Sequence, residues 1–248
     1  MGNKRTLKLV LEYDGTNFSG WQVQPDKRTV QMVVEDALAK ILRQPVRLTA
    51  AGRTDAGVHA EGQVAGFQAE SEMECWRLKR AMNGILPDDV TVLDITDTRP
   101  EFNARYDARS RTYRYTLSDQ RLSLGRSYVW HIKYKLSREL LEKSTQPLDG
   151  NCSLRGFSKG DDNDDFSTIF LKNSWTFHDN LMIFEICAVR FFHHSVRSIV
   201  GSTVEVARGK ESPDLLQRIL DTQDRSLAGP TAPASGLCLV KVDYGDEP

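Results

Sequence analysis

Two periodicities succeed each other in the first hundred residues of this chain, and the same succession recurs in the rest. Leu7, Leu9, Leu11 and Tyr13 alternate with Lys8, Val10 and Glu12, a spacing of two that puts one apolar face on a strand. The turn residues Asp14-Gly15-Thr16 follow. Val30, Val33, Val34, Ala37, Leu38, Ile41 and Leu42 then fall at helical spacing until Pro45 stops them. Val46–Ala51 and His59–Ala69 read as strands, Trp76–Met82 as a helix ended by Asn83-Gly84, and Val90–Ile95 as a strand. In the second half, Arg105–Leu117 reads as a long strand and Ser137 as the cap of a helix reaching Ser144. Phe166–His178 and Leu181–Val189 form a strand pair turned at Asp179-Asn180. Phe192, Val196, Ile199, Val200, Thr203, Val204 and Ala207 make a helical stripe closed by Gly209. Ser212-Pro213-Asp214 opens another helix, and Gly236–Tyr244 is a last strand. This pattern predicts an α+β or α/β chain of two related halves, residues 1–105 and 106–248, meeting near Pro100–Tyr106.

The 248 residues suffice for one large domain or two small ones. No apolar run is long enough to cross a bilayer. Met1-Gly2-Asn3-Lys4-Arg5 leads straight into the strand pattern without a signal-peptide core, so no membrane association and a cytoplasmic location are expected. Cys75, Cys152, Cys187 and Cys238 are far apart and form no CxxC pair, the pattern of buried thiols rather than of a zinc site or disulfide framework. The net charge of -1 does not announce a nucleic-acid binder. The charges are unevenly placed, however. Arg99, Arg105, Arg109, Arg111 and Arg114 crowd one stretch, whereas Asp161-Asp162-Asn163-Asp164-Asp165 forms an acidic run. Taken alone, such runs are most simply solvated faces, the acidic one a surface loop.

Gly52-Arg53-Thr54-Asp55-Ala56-Gly57 links two of the strands and is flanked by glycines. Glycine lets a backbone turn tightly or approach a ligand. Arg53 and Asp55 are two apart, so in an extended stretch they point the same way. A carboxylate held beside a guanidinium stays ionised and oriented, which suits a nucleophile or a base. The same residues also suit an ordinary turn, with Asp55 binding backbone amides and Arg53 in a surface ion pair.

Extended to Val58-His59-Ala60, this loop resembles the signature of the tRNA pseudouridine synthase A family. The resemblance recurs in order along nearly the whole chain. It is carried by Glu12-Tyr13-Asp14-Gly15-Thr16-Asn17-Phe18 with Gly20-Trp21-Gln22, and by Thr29-Val30-Gln31. Phe102, Ala104, Arg105, Ala108, Arg111, Tyr113 and Tyr115 carry it further, as do Phe192-His193-His194 with Val196-Arg197 and Ile199-Val200-Gly201. Gly236-Leu237 with Leu239 closes it. Three positions depart from the usual pattern. Ser153-Leu154 stands where an Asp-Phe pair is usual, Ser167 replaces an Arg, and Ser195 replaces a Met.

The resemblance implies a pseudouridine synthase fold, with two related halves sharing a mainly antiparallel central sheet, helices on one side and an active-site cleft between the halves. It implies isomerisation of uridine at positions 38–40 of the tRNA anticodon stem-loop, by a homodimer, without metal, nucleotide or redox cofactor. Asp55 matches the essential carboxylate, as a nucleophile toward sugar or base or as a base. Arg53 and Arg197 would be its basic neighbours, although Arg197 also reads as an exposed helix charge. Tyr113 would stack on the target base, with Tyr115 on the same strand face as packing. Leu237 would line the pocket. Arg105, Arg111, Arg114, His193 and His194 would contact RNA, and with no third ligand near them in the sequence the two histidines do not suggest a metal site. The alternatives are a synthase acting on another RNA or tRNA position, and a non-catalytic RNA-binding protein on the same fold.

Overall fold

The computed structural model describes residues 4–159 and 165–245. Asp161, Asp162, Asn163 and Asp164 of the acidic run lie outside the described residues, as do Met1-Gly2-Asn3. In chain order the elements are β1 (Lys4–Tyr13), α1 (Val30–Leu42), β2 (Thr49–Ala50), β3 (His59–Glu70), α2 (Cys75–Asn83) and β4 (Val90–Thr98). There follow β5 (Ser110–Ser118), β6 (Trp130–His131), α3 (Arg138–Thr145), β7 (Gly150–Ser153), β8 (Ser167–His178) and β9 (Leu181–Ala188). α4 (Ser195–Ala207), α5 (Leu215–Thr222) and β10 (Leu237–Asp243) complete the chain. The class is α+β, one of the two that the alternating periodicities allow and the one that the resemblance implies.

The chain divides into two compact units. One runs to Arg109 and takes in the residues from Leu239 onward; the other is Ser110–Cys238. The sequence division at residue 105 differs in two respects. The break falls later, and the end of the last strand belongs with the first unit. The contacts that hold it there are specific: Arg109 N–H donates to Asp243 O at 2.8 Å, Tyr244 Oη donates to Ala104 O at 2.7 Å, and the Tyr244 and Phe102 rings lie 5.3 Å apart.

In the first unit the strands run in the order β4-β1-β3-β10, with β2 on β3. β1 is antiparallel to both β3 and β4. Leu7, Leu9, Leu11 and Tyr13 are buried, as the two-residue alternation requires. α1 begins where Thr29 Oγ1 accepts the Met32 amide and ends at Arg43, whose φ of 56° breaks the helix before Pro45. β2 is shorter than the six-residue strand expected over Val46–Ala51. Side chains of α1 take the backbone groups such a strand would use. Leu48 N–H donates to Glu35 Oε1 at 2.9 Å, and Gln31 Nε2 donates to Leu48 O.

In the second unit β5, β9, β8 and β7 lie side by side, with β6 on β5. β5 and β8 each pair antiparallel with β9, and the β8–β9 turn has Asp179 at φ 50°. α4 is buried at eleven of its thirteen positions, so it is the core helix of this unit. The long strand expected from Arg105 begins only at Ser110. Asn103 Oδ1 accepts the amides of Arg105 and Tyr106, coiling residues 103–107 into a turn instead.

Candidate active site

The loop from Gly52 to Val58 is fastened to the chain segment after β1 and to β3. Trp21 N–H donates to Thr54 O at 3.0 Å, Gly57 N–H to Phe18 O at 3.2 Å, and Val58 N–H closes a turn onto Asp55 O at 3.1 Å. Behind the loop, Tyr13 Oη and Thr54 Oγ1 are hydrogen-bonded at 2.8 Å. Gln63 Nε2, from β3, donates to Gly52 O at 2.8 Å and reaches Tyr13 Oη at 3.4 Å. Phe18 is backed by Arg28, whose guanidinium lies 4.0 Å from the ring centroid and is clamped to both Asp89 oxygens at 2.8 Å. Two glycines make this fit possible. A Cβ on Gly15 would lie 2.0 Å from Val58 O, and one on Gly20, at φ 92°, would lie 2.7 Å from Thr54 O. The turn residues before α1 are thus the seat of the Asp55 loop.

Within the loop Thr54 is buried, Asp55 is partly exposed and Arg53 is exposed. The expected pairing of Arg53 with Asp55 is not formed: among the described residues no hydrogen bond or ion pair joins them. The reason is local. The stretch is not a strand; the Asp55–Val58 turn and the anchored Thr54 turn Arg53 toward solvent. That leaves its guanidinium available to a phosphate rather than committed to the carboxylate.

In the second unit Tyr113 is 8% exposed, set edge-on against Phe191 at 5.2 Å between centroids. Tyr115, two residues on, is fully buried. Its hydroxyl donates to Pro233 O at 2.7 Å. Burial pushes the Tyr115 phenol well above its usual range, and the Arg197 charge pulls in the opposite direction. Arg197 lies off the apolar stripe of α4, and its Nε donates to Ala232 O at 2.8 Å while Ala232 N–H returns to Arg197 O at 3.0 Å. The Gly229–Pro233 stretch therefore straps this arginine before the chain enters β10 at Leu237, which is buried. The His193 and His194 rings lie 3.8 Å apart between centroids, tilted by 35°, ahead of α4, with His194 at φ 65°.

Sequence comparison places this arrangement. A family model described as tRNA pseudouridine synthase matches residues 9–107 and 145–245. The chain belongs to the tRNA pseudouridine synthase family. Proteins named tRNA pseudouridine synthase A from several bacteria are similar along its length. That of Pelobacter propionicus is 37% identical over 244 residues, covering 97% of this chain and all of the relative. That of Thermotoga sp. strain RQ2 is 39% identical over 242 residues, covering 96% and 99%. That of Maridesulfovibrio salexigens is 40% identical over 252 residues, covering 97% and 90%. A solved CRISPR endoribonuclease Cse3 bound to 19 nt RNA aligns at 12% identity and a TM-score of 0.20, too slight a likeness to carry an argument.

Against that family background the three departures have local explanations. Ser195 Oγ donates to Phe192 O at 2.9 Å and accepts the Phe192 amide, closing the turn into α4. At Ser167 an arginine comes from elsewhere in the chain: Arg190 Nε donates to Ser167 O at 2.6 Å, and Arg190 pairs with Asp165. Hydrogen bonds from Ser167, together with Arg190, hold the Asp165 carboxyl down to about 2. Leu154 is fully buried, and its amide donates to Phe166 O.

The arginines expected to face RNA in this pseudouridine synthase are divided by the fold. Arg105 is exposed and packs on Tyr106, which is 78% exposed. Arg114 is half-buried on β5, opposite Glu185 in register. Arg111 is corrected from surface to interior: it is 8% exposed and donates to Val189 O at 2.7 Å. Its alternate position on β5 turns it inward beside Tyr113 and Tyr115. Sequence reasoning missed Tyr106, whose only signal was an aromatic between charged residues, and missed Thr54 and Gln63 as polar groups behind the loop.

Proposed function

We propose that this protein isomerises uridine to pseudouridine in tRNA, at positions 38–40 of the anticodon stem-loop. The N1–C1′ bond breaks, the uracil turns, C5 bonds to C1′, and the proton lost from C5 balances the one gained at N1. Asp55 supplies the nucleophilic carboxylate on which the exchange turns. Tyr113 offers its ring to the unstacked base, an interaction worth ~1–3 kcal/mol. Leu237 lines the base pocket, and Arg197 supplies positive charge to the reacting centre. Arg53, Arg105 and Arg114, with His193 and His194, take the RNA backbone. The protein works in the cytoplasm as a homodimer on structured tRNA, read by shape and phosphate. It needs no cofactor.

The observation that carries this reading is the Asp55 loop. A carboxylate sits on a backbone anchored from several sides, in a chain matched by the family model on both sides of it. The test is incubation of the purified protein with an unmodified tRNA transcript, followed by chemical mapping of pseudouridine. Modification confined to positions 38–40 is expected. Modification elsewhere in the tRNA would refute the positions, and none at all would refute the activity.

A further inference from the structure

Three polar side chains stand in the apolar interior of the first unit, behind Asp55. Tyr13 ends the Leu7-Leu9-Leu11 face of β1, Gln63 lies in β3 among Ala60, Val64 and Ala65, and Thr54 precedes Asp55; all three are buried. A leucine would continue the β1 face as well as a tyrosine does. Buried polar groups also add little stability over apolar groups of the same shape, even when fully bonded. What such a network adds is a unique geometry. Two of its bonds run from the strands to the loop. Tyr13 Oη meets Thr54 Oγ1 at 2.8 Å, Gln63 Nε2 holds Gly52 O at 2.8 Å, and Gln63 Oε1 accepts its neighbour's Val64 amide at 3.1 Å. The loop is thereby pinned by a side chain on Thr54 and by a carbonyl two residues earlier. The Trp21 amide takes Thr54 O from the other direction. Pinning Thr54 fixes the direction in which the next Cα–Cβ bond, that of Asp55, leaves the backbone.

We infer that Tyr13, Thr54 and Gln63 are positioning residues for the reaction, acting through the Thr54 backbone to hold the Asp55 carboxylate in its reactive orientation. The inference rests on the proposed role of Asp55. A reacting group misplaced by about 1 Å loses on the order of 100-fold in rate, whereas tRNA affinity, spread over phosphate contacts, does not depend on that angle.

The test is a set of conservative variants: Tyr13→Phe, Thr54→Val, Thr54→Ser and the double Tyr13→Phe/Thr54→Val. Each is measured for single-turnover pseudouridine formation at saturating tRNA, for tRNA affinity and for melting temperature. Tyr13→Phe and Thr54→Val should each slow turnover at least tenfold, with affinity within twofold of the parent. Thr54→Ser keeps the hydroxyl and should recover most of the rate. The double variant should be no slower than the slower single one, because both remove one bond. Rates within twofold of the parent for Tyr13→Phe and Thr54→Val would overturn the inference. So would losses that multiply in the double variant, or that follow melting temperature rather than the hydroxyl. Should Tyr13→Phe fail to fold, the Thr54→Val and Thr54→Ser comparison decides. An inactive parent refutes the proposed function; an active parent with indifferent variants refutes only the positioning role.

Discussion

Substituting Gly20 by alanine should unseat the Asp55 loop from a distance. Gly20 has φ 92°, and an added Cβ would lie 2.7 Å from Thr54 O and 3.2 Å from the Asp55 carbonyl carbon. The backbone conformation alone costs a non-glycine residue ~1–3 kcal/mol. The Cβ also pushes on the carbonyl that accepts the Trp21 amide at 3.0 Å, and losing that bond costs a further ~0.5–1.5 kcal/mol. The sum, ~1.5–4.5 kcal/mol, corresponds to a melting-temperature drop of roughly 3–18 °C for a chain of this length. Relief of the clash must move Thr54 and therefore Asp55, so the surviving folded protein should also turn over more slowly. Gly52→Ala is the control: a Cβ there has nothing within 4 Å, and its melting temperature should stay within about 2 °C of the parent. The assay is thermal unfolding together with single-turnover pseudouridine formation below both transitions. A Gly20→Ala protein that melts and reacts like the parent would show that the turn after β1 does not seat the loop.

Tyr113→Phe keeps the ring and should retain tRNA binding, whereas Tyr113→Leu should lower turnover more than it lowers stability; a large fall in melting temperature at unchanged specific activity would make Tyr113 a packing residue. Arg111→Met should destabilise the fold by ~1.5–3 kcal/mol through the lost Val189 bond, measured by urea unfolding. By contrast, Arg105→Ala with Tyr106→Ala should spare stability and weaken tRNA binding measured at low salt; equal effects of the two on stability would contradict the division of the arginine cluster. The Asp97 carboxyl is held below its usual value by hydrogen bonding to Arg5. Its contribution is therefore present at neutral pH and lost as pH falls through the lowered folded value. Asp97→Asn should cost under about 1 kcal/mol at pH 7, since the side chain is more than half exposed. The difference should shrink toward pH 3 in urea titrations, and an equal difference at both pH values would contradict the assignment.

Where local spacing decides an element, the sequence predicted it well. The Leu7–Tyr13 alternation, the α1 stripe from Val30 to Leu42 before Pro45, and the Asp179-Asn180 turn stand where periodicity and turn residues put them. Two strand lengths went astray because side chains intervened. Glu35 and Gln31 take the backbone of Leu48, and Asn103 takes the amides of Arg105 and Tyr106. No period records such bonds from side chain to backbone, near or far in sequence. In the candidate site, the Asp55 loop was legible as a motif. Its seat was visible only as resemblance, since nothing in Gly15 or Gly20 says that Val58 O and Thr54 O lie against them. The direction of a side chain near a break in periodicity was least legible. Arg53 was expected beside Asp55 and faces solvent, while Arg111 was expected on the surface and lies inside.

The role proposed for the Asp55 carboxylate is to carry the chemistry of a tRNA pseudouridine synthase. Its most direct test is single-turnover pseudouridine formation by Asp55→Asn on an unmodified tRNA transcript, beside the parent and with tRNA affinity measured in parallel. The Asn side chain has nearly the same shape but neither the charge nor the nucleophilicity. The variant should bind tRNA within about twofold of the parent, lose no more than ~1 kcal/mol of stability as expected at a partly exposed site, and make no pseudouridine. Isomerisation by Asp55→Asn at a substantial fraction of the parent rate would contradict it.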